Sequence, residues 1–568
     1  MTDSTFTEDD IVAYPRDFID RYRSAGAWRD LTIAQEFRAV ADRYPDRPAV
    51  VGPDLELSYA ELDRRADRIA VGLRKEGVRP GDPVLLQLTN QAATVLIWYG
   101  LLKAGAIPVA TLALHRRHEI TAIARQCAPV VHVIDPAFPG HDLRELAAEV
   151  RAEQPSVRLL VTVGNGAPEA GETSLDSLLA ADIDPVAARA IVDEIQAGIS
   201  AESIGVLQLS GGTTSIPKLI PRLHTEYWYN SRAWAEAVRI DSGSCTAHLL
   251  PIVHNAGVVC AMHAAHAVGA CVATCMPDAA QFKAVAVSHP ITHMLATRPI
   301  MGLIDSDPEL RAALDALRVV VWSDRAVPPA VVDEFETDTC RVTQMFGMGE
   351  GLCMVTSVDL STDLRHHTQG APIAQCDEVR VLKPGTEDPV QFGEHGELCA
   401  RGPYTIRGYF RAPERNAAAF TSDGFYRTGD IVVEMRDGGQ SYYRLEDRIK
   451  DLINRGGEKI NAEEVETVLI DHPAVERVAV VAMPDERLGE RSCAFLVVRE
   501  GVQAPDLAAI KQYFEERGVA KYKWPERVEH RKSLPLTNIH KINKATLRRE
   551  IAEILQAEGA ARKAVPSS

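Results

Sequence analysis

Residues 207–218 read Leu-Gln-Leu-Ser-Gly-Gly-Thr-Thr-Ser-Ile-Pro-Lys and follow an apolar, strand-like run at 204–206. Glycines let backbone N–H groups approach an anion closely, and hydroxyl and ammonium groups add further donors. The order differs from the Walker loop, in which Gly-Lys-Ser/Thr leads into a helix, because Pro221 opposes a helix soon after Lys218. The pattern predicts a phosphate-binding loop. The alternative is a polar surface turn between two strands.

The bulk composition restricts the class of protein. The chain has 568 residues, too many for one ordinary core, so several domains or subdomains are expected. Apolar residues make up 46% and charged residues 25%, as in soluble globular proteins. The formal charge of -17 argues against nucleic acid or an anionic membrane as the main partner. The ten cysteines include no Cys-x-x-Cys pair, which indicates reduced, mostly buried thiols rather than a zinc or dithiol site.

Two segments bear on localisation. The N-terminus lacks the basic start and apolar core of a signal peptide. Residues 247–276 contain no Asp, Glu, Lys or Arg, yet histidines, Pro251, Gly257 and Gly269 interrupt the run. A buried strand–loop–helix–strand of an α/β core explains this segment better than a membrane span. We therefore expect a cytoplasmic protein with no membrane contact.

Strand and helix patterns alternate through the first half of the chain. Strands are predicted at 49–51, 83–88 and 107–110, with helices beginning after the N-cap Ser58 and over 92–104. Such alternation predicts largely parallel sheets covered on both faces. Further strands are expected near 247–252, 270–275, 319–322 and 343–347, and shorter alternating strands over 377–412 indicate a small β-subdomain.

A domain boundary is predicted near the sequence Arg448-Ile-Lys-Asp451. Beyond it, helices at 463–469 and 505–517 and strands at 475–483 and 493–498 form a unit of ordinary domain size. The fold class is thus α/β. We expect a large N-terminal domain (1–449), made of two α/β subdomains and a small β-subdomain, followed by a small α+β domain (450–568).

Several motifs, in order, resemble those of the adenylate-forming superfamily, and more closely those of stand-alone aryl-acid AMP ligases of the 2,3-dihydroxybenzoate and salicylate type. Beside the loop at 207–218 and the following Leu-Ile-Pro-Arg222, they are Tyr22–Trp28, His115–Ile120, Pro251–Asn255, Phe346–Gly351, Arg401–Tyr409, Tyr426–Asp430 and Asn454–Lys459. The resemblance covers about Tyr14 to Leu555. It implies attack of a carboxylate on the α-phosphate of ATP, with pyrophosphate as the leaving group.

The resemblance assigns the nucleotide site. It implies that ATP is bound by Ser210, Gly211, Gly212, Thr213, Thr214, Lys218, Gly347, Met348, Asp430 and Arg448. Glu350 takes the position of the carboxylate associated with Mg²⁺, a cation that prefers carboxylate and phosphate oxygens. Asp430 suits the ribose hydroxyls because a carboxylate only accepts hydrogen bonds. Together with Glu350 and His254, Lys541 is expected to be catalytic, with its ammonium bridging the substrate carboxylate and the α-phosphate.

Three positions depart from the family pattern. Ser215 stands where the loop usually has glycine, Asp447 replaces a glycine before Arg448, and His540 replaces the glycine before Lys541. Lys450 falls at the family's hinge, about which the C-terminal domain is expected to rotate after adenylation. In the rotated state, Gly456 and Gly457 are implied to approach a pantetheine tunnel.

The predicted aryl-acid pocket consists of His254, Asn255, Ala256, Cys260, Trp322, Ser323, Gly349 and Cys353. Ala256 stands where the family usually has tyrosine, which opens space of the order of a hundred Å³. Cys260 matches the salicylate enzymes rather than the dihydroxybenzoate enzymes. Trp322 has the opposite effect to Ala256, because its ring could refill the space that the absent tyrosine opens. We expect an aromatic acid other than 2,3-dihydroxybenzoate, either salicylate-like or a larger bicyclic acid.

The sequence allows alternative interpretations of the acceptor thiol and of the activity. The leading interpretation is transfer of the aryl group to the phosphopantetheine arm of a separate carrier protein, in siderophore or nonribosomal peptide biosynthesis, since no carrier motif follows the C-terminal domain. One alternative is an aryl-CoA ligase with free CoA as acceptor. The other is a catalytically silent nucleotide-binding protein, as Ser215 and His540 would allow.

Overall fold

A computed structural model describes residues 10–164, 168–210, 217–323, 327–448, 452–535 and 542–564. These residues divide into two compact units. The first contains residues up to 113, 123–210 and 218–448, and the second contains 114–122, 217 and the described residues from 452 onward.

The helices are, in chain order, α1 (Arg16–Ser24), α2 (Ile33–Arg43), α3 (Tyr59–Lys75), α4 (Ala92–Lys103), α5 (Arg117–Cys127), α6 (Leu143–Glu153), α7 (Leu175–Leu179), α8 (Pro185–Ala197), α9 (His224–Ala237), α10 (Asn255–Gly257), α11 (His263–Val268), α12 (Ala279–Ser288), α13 (Arg298–Asp305), α14 (Pro308–Ala313), α15 (Pro329–Phe335), α16 (Thr362–His367), α17 (Pro413–Ala419), α18 (Ala462–Ile470), α19 (Leu507–Glu516) and α20 (Lys544–Ala564). A π-helical turn, Val258–Met262, joins α10 to α11, and Lys521–Lys523 is a 3₁₀ turn.

The strands are β1 (Pro48–Val51), β2 (Glu56–Ser58), β3 (Pro83–Gln87), β4 (Ile107–Val109), β5 (Val131–Ile134), β6 (Leu159–Thr162), β7 (Glu172–Ser174), β8 (Ile204–Leu209), β9 (Leu219–Leu223), β10 (Cys245–His248), β11 (Cys271–Thr274), β12 (His293–Ala296), β13 (Val319–Trp322), β14 (Arg341–Gly347), β15 (Cys353–Val355), β16 (Ala371–Pro372), β17 (Glu378–Leu382), β18 (His395–Arg401), β19 (Tyr426–Asp437), β20 (Gln440–Arg448), β21 (Leu452–Arg455), β22 (Glu458–Asn461), β23 (Val475–Asp485), β24 (Gly489–Val498) and β25 (Arg527–His530).

Two large, mainly parallel sheets form the body of the first unit. One has the order β7-β6-β5-β3-β4-β8-β9, in which only β9 is antiparallel to its neighbour. The other has the order β16-β15-β14-β13-β12-β10-β11-β1-β2, with antiparallel pairing at both ends. The antiparallel sheet β17-β18-β19-β20 completes the unit. The predicted α/β class with two subdomains and a β-subdomain is confirmed.

The second unit contains a smaller mixed sheet of order β22-β21-β24-β23, with β25 paired in parallel to β24. Helices α18 and α19 contribute Val465 and Phe514 to its core cluster. This arrangement of strands and helices is the predicted α+β type. No helix among the described stretches of chain combines the length and apolar character needed to cross a membrane.

Two hydrophobic core clusters matter for the site. The first core cluster takes residues from both large sheets, including Val84, Val206 and Val321, together with most of α4. The second core cluster includes Val320 and Trp322 of β13 and residues of α12–α15. Successive residues of a strand face opposite sides of a sheet. Strand β13 therefore divides its side chains between the two clusters.

One strand boundary differs from the prediction. We expected a strand over 247–252, but β10 ends at His248. The Asn90 side chain takes over the backbone hydrogen bonding beyond that point. Its Nδ2 donates to the Leu250 carbonyl at 2.6 Å, and its Oδ1 accepts from Ile252 N at 2.8 Å. The chain thereby leaves the sheet and enters the segment that precedes α10. The other predicted core elements are present, including the N-cap Ser58 of α3, which forms a capping box with Glu61.

Candidate active site

The predicted phosphate loop connects the antiparallel strands β8 and β9. At its base, Ser210 N donates to the Lys218 carbonyl at 2.9 Å, and Lys218 N donates to Ser210 Oγ at 3.2 Å. These bonds hold the two ends of the connection together. Gly211, Gly212, Thr213 and Thr214 lie outside the described residues, so their ATP-binding roles stay predictions.

Glu350 lies in a buried hydrogen-bonded group. Tyr409 Oη donates to Glu350 Oε1 at 2.6 Å and lies 2.9 Å from Tyr426 Oη. The Lys218 ammonium lies 4.4 Å from the centroid of the Tyr409 ring, a cation–π distance. Burial and the charge of Glu350 raise the pKa of Tyr409 well above its ordinary value, so Tyr409 stays a proton donor. Tyr409 thus contacts both predicted groups: its ring contacts the ammonium of Lys218, and its hydroxyl binds the carboxylate of Glu350.

The turn after β14 depends on its glycines. Gly351 has φ +136°, and a Cβ there would lie 2.2 Å from the Tyr404 carbonyl oxygen, so no other residue fits without displacing backbone. A Cβ on Gly349 would lie 2.8 Å from Ile220 Cδ1 of β9. The turn is therefore closely packed against the base of the phosphate loop. Its backbone is also tied to the following loop, since Ile406 N donates to the Glu350 carbonyl at 2.8 Å.

Asp430 and Arg448 are opposite each other in the β19–β20 ladder. Asp430 is buried, and its N–H donates to Thr428 Oγ1 at 3.0 Å. Burial, with the charges of Glu350 and Asp430, raises the pKa of Tyr426 well above its ordinary value. We call Ser210, Lys218, Glu350, Tyr409, Tyr426 and Asp430 the phosphate side of the site. Arg448 is described only through its backbone, and its role toward ATP stays a prediction.

Asn255 begins the helical stretch that runs through the π-helical turn to Val268. Its Oδ1 accepts from Arg222 Nη1 at 3.2 Å and from Tyr227 Oη at 3.0 Å, and its Nδ2 donates to the Met348 carbonyl at 3.3 Å. The atom that faces Arg222 must be the oxygen, because a guanidinium has only donors. With both lone pairs of Oδ1 engaged, Asn255 can offer a ligand only its second N–H.

The remaining predicted pocket residues include two thiols in contact. Cys260 of the π-helical turn and Cys353 of β15 both belong to the first core cluster, against which Ala256 packs. The hydrogen bond with Cys260, together with burial, raises the pKa of Cys353 well above that of an ordinary thiol. We call Asn255, Ala256, Cys260 and Cys353 the acid side of the site. Apart from Asn255, the residues of the acid side have small, uncharged side chains.

Three other predicted residues have a different placement. Trp322 is fully buried in the second core cluster, on the face of the sheet opposite Val321, so its ring is not grouped with Ala256 and the two thiols. The expected refilling of space by Trp322 therefore finds no support. Ser323 follows β13 and donates its N–H to the Ala296 carbonyl at 3.0 Å. His254 is the exposed N-cap of α10, and its Nδ1 accepts from Ala256 N at 3.3 Å.

The predicted residues of the C-terminal domain are only partly described. Gly456 and Gly457 form the two-residue turn between β21 and β22, with φ of +61° and +101°. A two-residue hairpin with positive φ at both positions favours glycine for steric reasons alone, and the tunnel role stays a prediction. Lys450 and Lys541 lie outside the described residues, as do Ser215 and His540, so the hinge and the catalytic lysine also stay predictions.

Sequence reasoning missed several residues that hold the site together. Arg222, Tyr409 and Tyr426 stood at the ends of motifs that carried the resemblance but had no role assigned, and Glu226 and Tyr227 stood in none. Their spacing along the chain gives no sign that they meet. The signal that was available is local: Arg222 and Glu226 are four residues apart, with an apolar Pro221 and Leu223 beside the arginine, which favours a buried ion pair.

The carboxylate chemistry fits a hard cation shared with substrate phosphates. No group of three or more His, Cys, Asp or Glu side chains that could hold a metal occurs in the described part of the chain. Mg²⁺ is commonly held by one or two carboxylates together with substrate phosphates rather than by a full protein cage. The buried Glu350, close to the base of the phosphate loop, is compatible with that arrangement.

Comparisons with known proteins agree with these observations. The model of the AMP-binding enzyme family matches residues 37–410, and that of the AMP-binding enzyme C-terminal domain matches residues 464–541. Pyochelin synthase PchD of Pseudomonas aeruginosa is 40% identical over 98% of this chain and 100% of its own length. A salicylyl-CoA synthase / salicylate adenylyltransferase of a Streptomyces species is 39% identical over 95% of this chain and 98% of its own.

The solved structures include a similar protein of comparable length. The apo structure of MbtA from Mycobacterium smegmatis superposes with a TM-score of 0.71 at 35% identity, covering 95% of this chain and 99% of that one. The family models, the relatives and the fold all point the same way. This chain belongs to the AMP-binding enzyme family, within the adenylate-forming superfamily that its motifs resemble.

Proposed function

We propose that this protein activates an aromatic carboxylic acid with ATP and then transfers the aryl group to a thiol. A carboxylate oxygen attacks the α-phosphorus of ATP, and the bond to the bridging oxygen of pyrophosphate breaks. A thiolate then attacks the acyl carbon of the aryl-AMP and releases AMP. The observation that carries the proposal is one short turn: Asn255 binds the Met348 carbonyl, and Glu350 is two residues further on. This bond supports the proposal that the amide for the acid and the carboxylate of the phosphate side serve one site.

The chain's own groups suit the charges of this reaction. The Lys218 ammonium supplies positive charge for the phosphates. Tyr409 orients the Glu350 carboxylate, which would hold Mg²⁺; bound there, the ion would neutralise charge on the phosphate oxygens. Asp430 suits the ribose hydroxyls, and the free N–H of Asn255 suits the substrate carboxylate or ring hydroxyl. Arg448 and Lys541 are assigned to the ribose and to the reacting groups by resemblance alone.

The substrate class is proposed from the acid side. Ala256, Cys260 and Cys353 offer an apolar, uncharged wall, which favours an aromatic ring over an aliphatic chain with polar groups. Trp322 packs in the second core cluster, which supports the proposal that the space left by the absent tyrosine at position 256 serves the substrate. The proposed acid is salicylate-like or a larger bicyclic acid of quinaldate or naphthoate type, not 2,3-dihydroxybenzoate.

Pyrophosphate–ATP exchange with the purified protein tests this assignment. The panel contains salicylate, 2,3-dihydroxybenzoate, quinaldate, 1-naphthoate and an aliphatic acid of similar size. We expect exchange with salicylate or a bicyclic acid to exceed that with the other two classes by about tenfold or more. Preference for 2,3-dihydroxybenzoate or for the aliphatic acid would overturn the substrate class, and absence of exchange with every acid would favour a silent nucleotide-binding protein.

The acceptor thiol separates two versions of the function. A holo carrier protein with a phosphopantetheine arm is the proposed acceptor. Free CoA is the alternative, favoured by the salicylyl-CoA synthase named among the relatives. Offering both thiols to the enzyme with its preferred acid and following thioester formation decides between them. Thioester on the carrier protein supports the proposal, whereas thioester on CoA alone identifies an aryl-CoA ligase.

A further inference from the structure

Arg222 of β9 is a fully buried cation paired with a buried glutamate. Its Nε and Nη2 donate to the two carboxylate oxygens of Glu226 at 2.9 and 2.8 Å. Glu226 Oε1 also accepts from Leu223 N at 2.8 Å, at the start of α9. Two parallel hydrogen bonds between guanidinium and carboxylate fix both geometry and charge balance. This pair is a rigid, neutral unit inside the first unit of the protein.

The other N–H groups of Arg222 reach the site. Nη1 donates to Asn255 Oδ1 at 3.2 Å and to the Gly349 carbonyl at 2.9 Å. Nη2 additionally donates to Asn230 Oδ1 at 3.2 Å and to the Tyr404 carbonyl at 3.3 Å. A single guanidinium therefore connects the amide of the acid side, the turn that carries Glu350, and the loop that ends at Tyr409.

Tyr227 completes the support behind Asn255. Its hydroxyl donates to Asn255 Oδ1 and accepts from Gln208 Nε2 of β8 at 3.0 Å. The Arg222 guanidinium lies 4.3 Å from the centroid of the Tyr227 ring. Since arginine and tyrosine occupy both lone pairs of the Asn255 oxygen, the amide cannot flip without losing two hydrogen bonds. One N–H group is thereby directed to the Met348 carbonyl, and the second is left to donate to a substrate.

We propose that Arg222 is a positioning residue of the adenylation site, acting through Asn255 and through the Gly349 carbonyl. The Arg222–Glu226 pair holds the acid side and the phosphate side at a fixed separation, so that a bound carboxylate meets the α-phosphate in line. Lysine cannot replace this arginine, because its ammonium offers three donors to the six acceptor contacts that the guanidinium makes. The kinetic part of the proposal rests on the proposed function.

Arg365 provides a matched control within the same unit. It is 3% exposed, it makes two hydrogen bonds with Glu336 at 2.8 and 2.6 Å, and it donates to the Val342 carbonyl at 2.6 Å. In the described part of the chain, none of the hydrogen-bond partners of the Arg365 side chain is a predicted site residue. Arg365→Lys therefore disrupts the ion pair of another buried guanidinium, whose glutamate is partly exposed, without touching Asn255 or the Gly349–Glu350 turn.

The test compares Arg222→Lys with Arg365→Lys in pyrophosphate exchange, varying acid and ATP separately, with melting temperature as the stability readout. We expect Arg222→Lys to lower kcat/KM for the acid by about tenfold or more, mainly through KM, while Arg365→Lys stays within about twofold of the parent at a comparable loss of melting temperature. Equal kinetic losses in both variants would overturn the proposal, because they would indicate general destabilisation.

Two further measurements keep the proposal decidable. Tyr227→Phe removes one of the two donors to Asn255 Oδ1 while keeping the ring, so it should raise the KM for the acid by a smaller factor. An unchanged KM would contradict the proposal even if Arg222→Lys fails to fold.

Crystal structures of the parent and of both variants test positioning without any activity. A rotated Asn255 amide or a shifted Gly349–Glu350 turn is expected, and unchanged geometry would overturn the inference. A parent inactive with every acid would instead refute the proposed function.

Discussion

The phosphate side and the acid side of the site are built in opposite ways. On the phosphate side, Lys218, Glu350, Tyr409 and Tyr426 form a continuous set of polar contacts between side chains distant in sequence. On the acid side, a single amide, Asn255, is polar, and Ala256, Cys260 and Cys353 present small apolar groups. One side is arranged for charge, and the other for shape.

This difference separates rate from selectivity. Every acid passes through the same charged transition state, so a change on the phosphate side should affect all substrates alike. A change on the acid side alters which ring fits and should act on some substrates only. Arg222 lies behind both sides. Arg222→Lys is therefore expected to reduce kcat/KM for the acid more than the stability control, Arg365→Lys, does.

The largest effect is expected from Glu350→Gln. The amide can still accept from Tyr409, but the negative charge is lost, so adenylation should fall by at least about a hundredfold with every acid in the panel. Pyrophosphate exchange at saturating ATP and acid measures the loss. Glu36→Gln serves as the control, because Glu36 is likewise a buried glutamate and its hydrogen-bond partner in the described residues, Arg29, is not a predicted site residue. A loss of exchange activity with bicyclic acids alone would contradict the assignment of rate to the phosphate side and selectivity to the acid side.

Ala256→Tyr should change selectivity and leave the phosphate side intact. The added ring occupies space next to the first core cluster, so kcat/KM for a bicyclic acid should fall by about thirtyfold relative to that for salicylate, within the range that pocket shape supplies. The KM for ATP should stay near the parent value. Ala256→Ser, which adds one oxygen, is the small-volume control. An equal loss for all acids would show that position 256 does not border the substrate ring.

Tyr409→Phe should have a smaller, uniform effect. It removes the donor to Glu350 but keeps the ring under the Lys218 ammonium, so exchange should fall by about tenfold, the cost of a hydrogen bond to a charged group. Tyr426→Phe leaves the Tyr409–Glu350 bond in place and should cost less. If Tyr426→Phe is the more damaging change, Tyr426 rather than Tyr409 orients the carboxylate.

The smallest effect on activity, and a distinct effect on stability, is expected from Asp377→Asn. Burial raises the pKa of Asp377 to about 7, although the Tyr404 hydroxyl donates to it. Above about pH 4 the unfolded chain releases this proton and the folded protein keeps it, so the free energy of unfolding should fall by about 1 kcal/mol per pH unit up to about pH 7 and then level off. The Asp377→Asn variant should not show this pH-dependent fall in the free energy of unfolding.

Melting curves of the parent and of Asp377→Asn between pH 5 and pH 9 check this prediction. The advantage of the variant should grow as pH rises to about 7, because the asparagine has no proton to hold. A difference that is constant across this range would show that Asp377 is ionised in the folded protein. Exchange activity at pH 7 should change by less than about twofold, since Asp377 contacts neither side of the site directly.

The sequence signals of the phosphate side and of the acid side differ in kind, for a physical reason. Binding a phosphate needs glycines, hydroxyls and cations close together in the chain, so the loop at 207–218 stands out locally. Glu350 was assigned by the resemblance, and Tyr409 and Tyr426 were given no role. Alternating apolar runs likewise gave both large sheets. The acid side depends on which face of a strand a residue occupies, and a shift of one residue separates Val321 from Trp322. The buried contacts of Arg222 join segments up to 182 residues apart, which no local pattern encodes.

A crystal structure with a non-hydrolysable aryl-adenylate analogue tests the central claim most directly. We expect the ring to pack against Ala256, Cys260 and Cys353, and the second N–H of Asn255 Nδ2 to donate to the acyl group or to a ring hydroxyl. Asn255 Oδ1 should remain bound to Arg222 and Tyr227. A ring bound elsewhere, or an Asn255 amide turned so that its oxygen faces the ligand, would contradict it.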